Sequence, residues 1–139
     1  MGAYALYLRA GEAVTLRAHL DQVLAGGGRT GAVLVAGDLN DGVDAATTQL
    51  LQGPPGSELG TPGFGRPDQG DGERLWNLTP LIAEPQRFTR VFRGRREVID
   101  HIFASHVLAA TMPAVSTALA AGRLVDQRRP RRAGRPARL

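Results

Sequence analysis

The apolar positions of the chain first mark Ala32 to Ala36, an unbroken run of alanine, valine and leucine. A run of that length without alternation predicts a strand covered on both faces. It ends in Gly37-Asp-Leu-Asn-Asp-Gly42, so the backbone is expected to turn at Gly37. Asp38, Asn40 and Asp41 then emerge at the strand's carboxyl end, where open α/β sheets bind ligands. Two residues apart on an extended chain, Asp38 and Asn40 point to one side. Upstream, Ala3 to Arg9 reads as a short strand. Glu12 to Ala25 carries Val14, Leu16, Leu20, Val23 and Leu24 as a helical stripe, stopped by Gly26-Gly-Gly28. A strand, a helix and a strand joined by a right-handed crossover make the two strands parallel, with Val33 to Ala36 central and fully buried.

Downstream, Ala45 to Leu51 fits a short helix with Asp44 as N-cap. Residues 53–72 hold seven glycines and four prolines, which predicts a long, exposed, poorly ordered loop. Leu75-Trp-Asn-Leu78 resumes apolar character, and Trp76 between two leucines reads as core before it reads as a stacking platform. Arg87 to Phe92 predicts a strand with Phe88 and Phe92 on one face, Gly94 a turn, and Glu97 to Ser105 the second arm of a hairpin. Along that arm Val98, Asp100 and Ile102 share one face and Ile99, His101 and Phe103 the other. Asp100 is then a carboxylate on an apolar face and requires a partner. Thr111 to Leu119 reads as a weaker strand or loop, and Gly122 ends the interpretable region.

Composition alters this picture in two places. A chain of 139 residues with 42% apolar residues suits one domain with a core. It contains no cysteine, which excludes disulfides and thiolate metal sites. No apolar run reaches the roughly 20 residues of a membrane span, so a soluble and, by default, cytoplasmic protein is expected, with the oligomeric state open. Residues 123–139 carry a net of +6 against +4 for the whole chain, which leaves −2 on the first 122 residues. All 17 basic residues are arginines. The tail offers no periodicity and is expected to be disordered. It can bind phosphate backbones nonspecifically, and the same composition arises when a GC-rich gene is read out of frame.

Gly37-Asp-Leu-Asn40 together with Val98-Ile-Asp-His-Ile102 resembles the endonuclease/exonuclease/phosphatase superfamily, in which a Gly-Asp-(Leu/Phe)-Asn motif precedes a strand containing Ile-Asp-(His/Tyr)-Ile. The resemblance spans roughly residues 4 to 122. It implies a partial α/β sandwich of the deoxyribonuclease-like type, residues 1–122 forming the carboxyl-terminal half of the domain. No Ser-Asp-His motif occurs in the chain, and the family's amino-terminal Asn and Glu motifs are also missing. A truncated or frame-shifted chain is therefore expected. Tyr7 stands where the family often has a histidine.

The resemblance implies metal-assisted phosphoester hydrolysis with Mg²⁺ or Mn²⁺. Asp38 would take or position the proton of the attacking water, Asn40 would bond a phosphoryl oxygen, and Asp100 would orient a catalytic histidine. Asp38 and Asp41 are the candidate metal ligands, Asp41 serving equally well as a turn cap. His19, His101 and His106 are the chain's histidines, and none is an easy substitute for the family's catalytic one. The partner is a phosphoester substrate, nucleic acid among the choices. Arg87, Arg90, Arg93, Arg95 and Arg96 around the hairpin either meet phosphates or protect a solvated strand edge. Two other classes stay open: a noncatalytic remnant that binds a partner, and a nucleic-acid binder acting through the arginine tail.

Overall fold

Gly2–Leu24 is one continuous helix, α1, in the computed structural model, which describes residues 2–112. The strand expected at Ala3 to Arg9 is therefore the first part of α1. Tyr4, Leu6 and Leu8 alternate with a period of two, but Ala, Leu and Arg favour a helix and no proline separates them from Glu12 onward. Ala13, Leu16, Arg17, Leu20 and Leu24 recur at helical spacing and face the core. Val14 and Val23, part of the expected stripe, face solvent. Ala25 and Gly26 adopt φ 43 and 75, and Gly27 N–H donates to Leu24 O at 2.7 Å, which ends the helix. Gly28 follows because the chain must pass close to another backbone: a Cβ there would lie 2.8 Å from Gly72 O.

Strand β1, Leu34–Asp38, leads to helix α2, Ala46–Gln52. The cap of α2 is Ala45 without a side-chain bond, not Asp44, so the helix starts one residue later than expected. Strands β2, Leu75–Asn77, and β5, Asp100–Ser105, complete a sheet of order β1-β5-β2 in which both pairings are antiparallel. β1 is thus an edge strand among the described residues, neither central nor parallel to a neighbour. With residues 3–9 helical, no preceding strand is there to pair with it in parallel. Nor is it buried on both faces, since Leu34 is 53% exposed. An apolar run of five does not by itself distinguish one covered face from two.

One face of the sheet packs on α1 and α2 through Val33, Val35, Leu39, Leu75 and Phe103. The other is divided. Near β2, Trp76, Leu78 and Ala104 lie beneath Leu59 and Phe64 of the glycine- and proline-rich segment and beneath Leu108, next to helix α3, His106–Ala109. Toward β1, Leu34, Ala36, Asp38, Asp100 and Ile102 are exposed.

Strands β3, Arg90–Phe92, and β4, Arg95–Glu97, make a separate hairpin. Its loop, Arg93-Gly94, has φ 49 and 77, the two positive values of a type I′ turn. The expected strand from Glu97 to Ser105 breaks at Val98-Ile99, where the N–H groups of Ile99 and Asp100 both donate to Thr89 Oγ1 at 3.1 and 3.2 Å. Residues 53–68 contain neither α-helix nor strand, as composition predicts, yet they are fastened. Arg74 Nε donates to Pro54 O at 2.6 Å and Trp76 Nε1 to Ser57 O at 3.0 Å. Asp68 caps the short 3-10 turn Gln69–Gly72. Of the segment expected from Thr111 to Leu119, only Thr111 and Met112 are described, in the turn that follows α3. The rest of it and the tail at 123–139 lie outside the described residues.

Candidate active site

Asp38 ends β1, Asp100 opens β5, and the two are register partners. The neighbouring pair, Leu39 and Ile99, is joined by Leu39 N–H donating to Ile99 O at 2.9 Å. Hydrogen-bonded and non-hydrogen-bonded pairs alternate, so Asp38 and Asp100 form a non-hydrogen-bonded pair, the kind whose side chains lie closest on a shared face. Both are exposed, and among the described residues neither has an ion-pair partner. Arg96, the arginine nearest in sequence, does not pair with Asp100, and its Nη1 donates to Pro85 O instead. Solvation takes its place, because this part of the face is open.

Beyond Asp38 the chain stops being extended. Asn40 adopts φ 51, and its N–H donates to Asp38 Oδ1 at 2.8 Å, a local turn that Asn tolerates better than most residues. Strand alternation therefore does not place Asn40 beside Asp38, and the turn brings the two together instead. Asp41 Oδ2 accepts from Arg9 Nε at 3.0 Å and from Thr47 Oγ1 at 2.6 Å, so its carboxylate ties the loop to α1 and α2. Thr48 Oγ1 donates to Gly42 O at 2.8 Å. A cleft of about 140 Å³ opens between these parts, lined by Arg9, Glu12, Asp38, Asn40, Thr47 and Leu51.

The sequence reading missed Arg9, Thr47 and Asn77 as supports of this loop. The sequence places His101 on the strand face opposite Asp100 but gives it no role there. It lies on the core face of β5, 2% exposed, with Nε2 2.8 Å from Asp41 O and Nδ1 3.1 Å from Asn77 Nδ2. The available signal was a histidine at a core position of a strand, which must find partners for both ring nitrogens. His19 is exposed on α1. His106 starts α3 beyond the far end of β5 and stacks on Phe64 with centroids 5.1 Å apart. None of the three hydrogen-bonds Asp100.

Among the described residues no group of three or more His, Asp or Glu side chains is arranged to hold a metal. Asp38 and Asp100 together still offer hard oxygen ligands of the kind Mg²⁺ takes one or two at a time while keeping several waters. No helix of the described residues is long and apolar enough to cross a membrane. No curated protein and no solved structure matches the chain. Residues 3–121 match the Endonuclease/Exonuclease/phosphatase family, whose members generally use divalent metals. That match takes in both the Asp38-Leu-Asn40 turn and the Asp100 strand, and the chain belongs to the endonuclease/exonuclease/phosphatase family.

Proposed function

We propose that this chain carries part of a phosphoester hydrolase site in which Asp38, Asn40 and Asp100 act on a phosphate group beside a divalent cation, Mg²⁺ or Mn²⁺. The observation that carries the reading is the opposed pair Asp38 and Asp100, two exposed carboxylates in register without a counter-charge among the described residues. Like charges directly opposite each other cost stability, and a cation with phosphate removes that cost. Asp38 and Asp100 would hold the ion. Asp41 is the lesser ligand, because Arg9 already matches its charge. When bound, the ion supplies Lewis-acid stabilisation of the developing negative charge.

The chain's own groups then divide the work. Asp38, whose Oδ1 takes the Asn40 N–H, keeps Oδ2 to position the attacking water and take its proton. The Asn40 amide donates to a phosphoryl oxygen. Asp100, with one oxygen on the ion, would keep the other to orient an imidazole donor. The exposed arginines Arg93 and Arg95 at the hairpin, a few residues before Asp100, favour a polyanionic phosphoester such as nucleic acid. Residues 1–122 form the domain unit in this reading.

A second reading, a noncatalytic binding module, is favoured by the placement of all three histidines away from Asp100. A chromogenic phosphodiester assayed with Mg²⁺ and with EDTA separates the two. The hydrolase reading expects weak, metal-dependent turnover that disappears in Asp38→Ala. Turnover unchanged by Asp38→Ala would sink it, and metal binding without turnover would select the second reading.

A further inference from the structure

We propose that His101 is the positioning residue of the Asp38–Gly42 loop, acting as the neutral Nε2–H tautomer in a buried hydrogen-bond chain that runs from Thr79 through Asn77 to the carbonyl of Asp41. The proposal rests on the function proposed above only in that this loop carries the site. The direction of the chain is set at both ends by backbone groups. Thr79 N–H can only donate, and it donates to Asn77 Oδ1 at 3.0 Å, joined there by Thr79 Oγ1 at 2.7 Å. That fixes the Asn77 amide with its NH₂ toward His101 Nδ1 at 3.1 Å, so Nδ1 must accept. The ring proton then belongs to Nε2, which donates to Asp41 O at 2.8 Å, and a carbonyl can only accept.

The three side chains are buried, Asn77 at 5%, Thr79 at 4% and His101 at 2% exposed, where an unmatched donor or acceptor is costly, and the bond to Asp41 O is part-buried. The chain spans the whole sheet, since Asn77 lies on β2, His101 on β5 and Asp41 just past β1. It also begins where the ladder stops. Leu39 N–H to Ile99 O is the last backbone bond between β1 and the strand side, and Asn40 then turns into the left-handed region. Past that point His101 ties the loop's main chain to the sheet, and Arg9 and Thr47 hold the Asp41 side chain from the helices. Two independent anchors on one residue fix where Asp38 and Asn40 point.

The test uses the full 139-residue chain and three substitutions. His101→Gln keeps a donor near the position of Nε2, His101→Asn keeps only an acceptor near Nδ1, and His101→Phe keeps neither. Imidazole ¹⁵N shifts of the unsubstituted chain are expected to report the Nε2–H tautomer. Amide exchange at Asn40, Asp41 and Gly42 is expected to rise on the order of tenfold in Asn and Phe, as for one lost hydrogen bond, and to be largely rescued in Gln, with α1 and β2 amides unchanged. An Nδ1–H tautomer overturns the proposal whether or not the variants fold. So does unchanged loop exchange in folded Asn and Phe variants, or a folded Gln variant that behaves like Asn. Mn²⁺-induced broadening at Asp38 and Asp100 in the unsubstituted chain reads the functional proposal separately: its absence alongside the expected exchange pattern removes the metal site and leaves the positioning role standing.

Discussion

Asp38 and Asp100 face each other as a non-hydrogen-bonded register pair, and the repulsion between them is directly testable. Asp100→Asn removes one charge without touching the bond from Asn40 N–H to Asp38 Oδ1. In EDTA at neutral pH the variant is expected to be more stable by about 0.5 kcal/mol, the size of a cross-strand charge effect. With millimolar Mg²⁺ the order should reverse, because an ion bound only to the native state stabilises it. Urea unfolding with and without Mg²⁺ measures both, and a difference indifferent to the ion would remove Asp100 from the ligand set. The positions of Asp38 and Asn40 at a strand end were legible because they close the apolar run of residues 32–36, and Asp100 stood out as an acid that interrupts the apolar residues of its strand. Their geometry was not, since the positive φ of Asn40 is a local choice that strand alternation does not encode. His101 was legible as a core-facing side chain, but its bond to a main-chain carbonyl depends on a loop whose path only tertiary packing decides.

Among elements, β5 carries the contrast between the two faces of the sheet. Phe103, 1% exposed, fills the side against α1 and α2, while its neighbour Ile102 is 38% exposed on the open side. Phe103→Ala is expected to cost about 3–5 kcal/mol, and Ile102→Ala roughly 1 kcal/mol. Equal losses in denaturant unfolding would mean that both faces are covered. The glycine- and proline-rich segment makes a second prediction. The Gly70 N–H bonded to Asp68, and secondarily the Arg74 guanidinium, hold the Asp68 carboxyl below the usual carboxylate range. A carboxyl lowered in the folded state stabilises it above the unfolded-state value and loses that contribution as the pH falls through the folded one. The stability difference between the unsubstituted chain and Asp68→Ala should therefore be full at neutral pH and shrink below about pH 4. A difference that stays constant down to about pH 2, well under the ordinary carboxylate value, would show that the cap does not depend on charge. Composition made this segment legible as loop. It could not reveal that Arg74 reaches the Pro54 and Pro55 carbonyls, because those acceptors are main chain and leave no mark on the sequence.

Across the fold, one misleading periodicity had consequences beyond its own segment. Tyr4, Leu6 and Leu8 mimic a strand, and a strand at residues 3–9 carried the expectation of a β1 paired in parallel, while the unbroken run of residues 32–36 carried that of burial on both faces. With that segment helical, β1 lies at an edge and the sheet keeps one open region formed by Leu34, Ala36 and Ile102 beside the two carboxylates. α1 adds Tyr4, Leu6, Tyr7 and Leu8, and the hairpin adds Val91 and Phe92, all exposed. Scattered apolar side chains are ordinary on a protein surface, but contiguous ones bind apolar probes. Under native conditions the chain is therefore expected to enhance the fluorescence of an anilinonaphthalene dye without any loss of cooperative unfolding. The paired substitution Leu34→Lys with Ile102→Lys tests whether the sheet face is the site. Residues 34 and 102 lie on the same face of neighbouring strands, so two charges there interrupt the patch while Phe103 and the helices behind it are untouched. Dye enhancement should fall by about half or more, in proportion to the apolar area lost, and the midpoint of urea unfolding should hardly move. Enhancement that survives in the double variant but disappears in Tyr4→Lys with Tyr7→Lys would transfer the exposed apolar surface to α1.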